Sequence, residues 1–102
     1  MSSWKQLERD VAKAMDDGSK RYPANQGLRI DVEGPNYVIQ CKERKSLSLE
    51  VLTQLVEEME LIGSQRGKRG LVAVKVRRGK GKYSPTLIVQ SIEQWKQRME
   101  DF

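Results

Sequence analysis

The sequence predicts an α/β fold, a mixed central sheet flanked by helices, and three patterns predict it. Residues 28–32 and 37–42 alternate at period two across a Gly34-Pro35-Asn36 turn, the mark of a β-hairpin. The segments 4–15, 49–62 and 92–102 carry apolar residues at helical spacing. Residues 71–74 are a short unbroken apolar run after the second of these, as in a strand buried on both faces and reached by a crossover helix. The predicted order is αβββαββα in a single domain over residues 1–102, because a chain of 102 residues supports one core and not two.

Each element has its own signal. In the first helix Trp4, Leu7, Val11, Ala14 and Met15 fall in one arc, and Glu8 is the only polar residue inside it; Lys5, Gln6, Arg9, Asp10, Lys13 and Asp16 lie outside. A carboxylate on an inward face needs a metal ion, a metal-bound water or a cation such as Lys42 as partner. Residues 20–22 form a short first strand. Strict alternation in 28–32 puts Leu28, Ile30 and Val32 on one face, and Arg29, Asp31 and Glu33 on the other. In 37–42 it opposes Tyr37, Ile39 and Cys41 to Val38, Gln40 and Lys42. Asp31, Gln40 and Lys42 are therefore predicted to project together. Ser48 caps a helix over 49–62 whose Leu52, Leu55, Val56 and Met59 form the apolar stripe, with Glu57, Glu58 and Glu60 mainly outward and Gly63 as its end. Residues 85–90 read as a strand near the sheet edge, and Ile92, Trp95, Met99 and Phe102 as the stripe of a last helix.

Asp31 offers a carboxylate, Gln40 an amide oxygen and Lys42 an ammonium group. Hard divalent cations take oxygen ligands, and a nearby ammonium orients water and steadies charge on a phosphoryl group, so the set suits metal-dependent phosphodiester hydrolysis. Cys41 alternates to the apolar face and reads as core filler, with no His to activate it. One Cys and no His exclude an internal disulfide and the usual zinc sites.

The net charge is +5, and its distribution says more than its sum. Between Gln65 and Lys82 there are eight basic residues and no acidic one. Arg66, Lys68 and Arg69 lie in the glycine-rich stretch 63–70, and Arg77, Arg78, Lys80 and Lys82 in the loop 77–84, at opposite ends of one strand. Both stretches read as contacts to a nucleic-acid backbone, since glycine permits close approach and clustered cations release counterions. A nucleotide-phosphate loop is excluded: three residues, not four, separate Gly63 from Gly67, Arg69 stands where a magnesium-binding hydroxyl belongs, and the helix precedes the strand.

Glu8 on a first helix, Asp31 in one strand and Gln40-Cys41-Lys42 in the next resemble the PD-(D/E)XK nuclease superfamily, and within it the archaeal-type Holliday junction resolvases. The resemblance spans roughly residues 4–90 and implies a restriction-endonuclease-like αβββαβ core. It implies Glu8, Asp31 and Gln40 as ligands of Mg2+, with Mn2+ able to substitute, and Lys42 as the residue positioning the attacking water. Ile30 stands where the motif has proline, and Gln40 where it has an acid; Glu8 would then carry more of the neutralisation, with Glu33 as auxiliary. The implied activity is a homodimeric, magnesium-dependent DNA endonuclease that cuts four-way junctions or other branched DNA, with Arg21 and Arg29 as phosphate clamps. Two other readings share these residues: a nicking or restriction-type nuclease, and a catalytically silent nucleic-acid-binding protein. The charged N-terminal residues do not resemble a signal peptide and no apolar run approaches the ~20 residues of a membrane span, so a cytoplasmic setting, prokaryotic or virus-encoded, is predicted.

Overall fold

The computed structural model describes residues 3–15, 20–21 and 29–100, with side chains over 5–15 and 29–97. Tyr22, Leu28 and Phe102, and the side chains of Trp4, Arg21 and Met99, lie outside the described residues.

The elements follow the predicted order: α1 (Ser3–Met15), β1 (Lys20–Arg21), β2 (Val32–Glu33), β3 (Tyr37–Arg44), α2 (Leu49–Gln65), β4 (Arg69–Val76), β5 (Thr86–Val89) and α3 (Ile92–Glu100). Among the described residues the strands form one mixed sheet in the order β1-β2-β3-β4-β5. β1, β2 and β3 run antiparallel in turn, β3 and β4 are parallel, and β5 returns antiparallel on β4. The parallel pair exists because α2 carries the chain back to the starting end of the sheet. No helix among the described residues is long and apolar enough to cross a membrane.

The sheet is buried on both faces, and each face has its own cluster. On one, Leu7 and Val11 of α1 meet Val32, Ile39, Leu71 and Ala73, with Tyr37 and Cys41 packed against them. On the other, Val56 and Met59 of α2 meet Ile30, Val38, Val72 and Val74. Leu7, Val11 and Met15 of the predicted α1 stripe, the α2 stripe, the core role of Cys41 and the doubly buried 71–74 run are present, while Ala14 is exposed. Ser48 caps α2 as expected, its hydroxyl accepting the Val51 N–H at 3.1 Å.

Three details depart from the sequence reading, the first being that the strand expected over 28–32 is Val32–Glu33, with residues 29–31 outside it. Ile30 and Val32 sit on opposite faces, not the same one, because the hairpin carries a bulge. Val32 is paired with Ile39, yet Asp31 N also donates to the Ile39 carbonyl at 2.8 Å, so two residues stand opposite one. Gly63 does not end α2, which continues to Gln65. A Cβ on Gly63 would lie 2.6 Å from Gly70 N, and one on Gly70 would lie 1.7 Å from the Met59 carbonyl oxygen. Both glycines let α2 lie directly on the start of β4; the turn itself is made by Gly67 at a φ of 69°.

Candidate functional site

β2 pairs with β3 only as far as the bulge, so among the described residues no strand continues along that side of β3 beyond Ile39. The next inward-pointing amide on this edge is that of Cys41. Asp31 takes it: its Oδ2 accepts the Cys41 N–H at 2.8 Å. Burial raises the Asp31 carboxyl above its ordinary value; the Cys41 hydrogen bond and the Lys42 charge oppose that shift without cancelling it.

Gln40 and Lys42 lie side by side with Val72 and Val74 in the β3–β4 register, and those valines belong to the α2 cluster. Both side chains therefore leave the α2 face of β3. Gln40 is 7% exposed, and its Oε1 is buried with no hydrogen-bond partner among the described residues. Glu8 is buried at 6% exposure, beside Leu7 on the helix that covers the opposite face. The prediction that Asp31, Gln40 and Lys42 project from one face is thus corrected. The bulge sets Asp31 against the Cys41 amide at the edge of β3, whereas Gln40 and Lys42 leave the α2 face and Glu8 lies on the helix over the other face.

This edge fits a hard cation in its donor chemistry. An unsatisfied buried amide oxygen costs roughly 1–3 kcal/mol, and a cation at Gln40 Oε1 removes that cost. Asp31 supplies a carboxylate at the neighbouring Cys41 amide, in a setting that penalises a bare charge. Among the described residues no three His, Cys, Asp or Glu side chains gather, so any cation here would rely on the neutral Gln40 as one of its donors. Comparison with protein-family models, with curated proteins and with solved structures returns no match.

The basic stretches divide in a way their spacing did not announce. Arg66 binds Glu33 through two parallel hydrogen bonds of 2.9 Å, and Lys68 reaches the same carboxylate at 2.5 Å. Glu33 is 8% exposed, so the pair of cations neutralises a buried charge and ties the end of β2 to the turn after α2. Arg66 and Lys68 therefore hold the fold here, and Glu33, expected as an auxiliary of the Asp31 site, spends both carboxylate oxygens on them. Arg69 lies in β4, where its N–H donates to the Asn36 carbonyl at 2.9 Å. Arg29, a candidate clamp, pairs with Glu58 at 2.8 Å, and the side chain of the other, Arg21, lies outside the described residues. Arg77 approaches the buried Glu43 at 3.4 Å.

Two residues of this region carried signals that the sequence reading passed over. Glu43 alternates to the α1 face at the far end of β3, and its burial holds Arg77 against the strand. Tyr83 is an aromatic residue in a lysine- and glycine-rich loop, and it is 82% exposed.

Proposed function

We propose that this chain is a magnesium-dependent DNA endonuclease of the PD-(D/E)XK type that acts as a two-fold dimer on branched DNA such as four-way junctions. The observation that carries this reading is the buried Gln40 Oε1, without a partner among the described residues, one residue from the amide that Asp31 caps and two from Lys42. The αβββαβ order, with the site on the hairpin before the crossover helix, supports it. Preference for branched DNA rests on the resemblance of the motif alone.

In this reading Asp31 and Gln40 would hold the cation, and Glu8 would contribute from the α1 side. Magnesium, or manganese in its place, supplies a Lewis acid that polarises the phosphoryl group and acidifies water. Lys42 orients the attacking water by hydrogen bonding and steadies the negative charge that grows on the phosphoryl oxygens. Asp31 keeps the β3 edge in register through the Cys41 amide, so the chemistry and the local fold share one residue.

A dimer follows from the substrate, because two strands of a junction must be cut and one chain of this size carries one site. Its interface is assigned to β5 and α3. β5 is the outer strand, its residues Thr86 to Val89 carry no charge, and Leu87 and Ile88 are exposed. An outer strand without charge or bulge is open to pairing with its own copy. α3 is held through polar contacts, Gln94 to both backbone groups of Gly70 in β4 and the preceding Ser91 to Glu60 of α2, leaving Ile92 and Trp95 outward.

The test is incubation of pure protein with a four-way junction, a linear duplex and a single strand, with and without magnesium. Symmetric nicks in the junction alone support the proposal. Cuts in linear duplex point to a nicking or restriction-type nuclease, and mobility shifts without cleavage point to a silent DNA-binding protein. The silent reading draws on the neutral Gln40 and on Glu8 standing across the sheet from it.

A further inference from the structure

Three cations without a carboxylate partner among the described residues are gathered in one loop. Arg29, Arg66, Lys68 and Arg77 each face a glutamate, whereas Arg78, Lys80 and Lys82 have no carboxylate partner among the described residues. These three lie in one loop, 77–84, together with Tyr83. Gly79 and Gly81 hold φ values of 104° and 77°, with nothing near the space a Cβ would occupy, so they turn the loop outward without packing against the body. The Arg78 guanidinium donates to the Tyr83 carbonyl at 3.4 Å, and Ser84, 7% exposed, anchors the residue that follows. The aromatic ring is thus displayed on a braced loop between cations.

The loop also lies at a particular end of the sheet. Arg77 N donates to the Arg44 carbonyl at 2.7 Å, two residues beyond Lys42 on β3, which is about 7 Å along the strand. The neutralised pair Arg66 and Lys68 lies at the other end, beside the first residues of β3 and β4. Unspent positive charge and the exposed ring therefore share the end where Lys42 stands.

We propose that the 77–84 loop grips DNA with a locally unstacked strand: Tyr83 stacks on an unpaired base while Lys80 and Lys82 hold the neighbouring phosphates. Every base offers a π face, so the contact selects for an open strand and not for sequence. This deepens the nuclease reading and rests on it for the choice of DNA, but it concerns binding and not the cation site.

The test is fluorescence anisotropy in chelator, so that no cleavage occurs, with a fully paired duplex and a duplex ending in splayed single-stranded arms. Tyr83→Ala should weaken binding to the splayed substrate roughly tenfold and leave the paired duplex unchanged, with Tyr83→Phe retaining wild-type affinity. Replacing Lys80 and Lys82 by Ala should lower the salt slope on duplex by about 0.9 for each lysine. Equal effects of Tyr83→Ala on both substrates, or none on either, would overturn the proposal. A wild type that cleaves while Tyr83→Ala binds normally removes this inference alone. A wild type that binds as described but never cleaves removes the nuclease reading and leaves this one standing.

Discussion

The Asp31 carboxylate and the Cys41 backbone amide are joined at 2.8 Å across a bulge, so a side chain takes the place that a continuing β2 would have filled. One consequence is that Asp31 is held where its charge is costly. Its carboxyl titrates higher in the folded chain than in the unfolded one, because burial disfavours the anion. Stability from this group is full below the unfolded value of about 3.9 and is lost as pH rises through the folded value. Asp31→Asn, whose amide oxygen can still accept the Cys41 N–H, should therefore melt higher than wild type at neutral pH and lose that advantage in acid. The same variant should bind junction DNA at least as tightly and fail to cut it; full cleavage by Asp31→Asn would refute its role.

Gln40 sets a comparable conflict between stability and chemistry. Gln40→Met removes an orphaned polar atom while keeping the volume, and should stabilise the fold by about 1–2 kcal/mol in chemical denaturation while abolishing magnesium-dependent cutting. Gln40→Glu should lower the magnesium concentration needed for half-maximal cleavage, since a charged ligand replaces a neutral one. An unchanged magnesium requirement with normal cleavage in Gln40→Glu would place this side chain away from the cation.

The Glu33 cluster predicts the opposite pairing of effects. Glu33→Gln should cost about 1–3 kcal/mol, less than a fully buried pair because Arg66 and Lys68 can still reach water. Replacing Arg66 and Lys68 by Ala should likewise destabilise the protein while leaving the salt slope of DNA binding as it is in wild type. A slope that falls by about 0.9 per residue would show these cations to be phosphate contacts after all.

For assembly, Ile88→Lys on the outer strand and Trp95→Ala on α3 should each shift the protein from dimer to monomer in light scattering, with little change in monomer fold because both residues are nearly half exposed and outside both core clusters. A wild type that remains monomeric at micromolar concentration with junction DNA bound would remove both the interface and the junction-cutting reading.

Period and composition were enough to order the helices and strands and to sort most of the core between the two faces, Ile30 excepted, because apolar spacing at 3.6 or 2 residues reports local geometry directly. Glu8 was recognisable as buried for the same reason: it interrupts an otherwise apolar arc. Three things depended on the closed structure. The bulge at Asp31 comes from a mismatch between two strands, which neither strand encodes alone, and it decides that Asp31 lies at an edge and not on the Gln40 face. The continuation of α2 through Gly63 follows from how closely the helix lies on Gly70. The division of the basic residues into neutralised and unspent groups follows from carboxylates brought in from tens of residues away, as Glu33 is to Arg66. Charge separated along a chain says nothing of charge separated in space, since Coulomb attraction acts through distance and only the tertiary fold sets that distance.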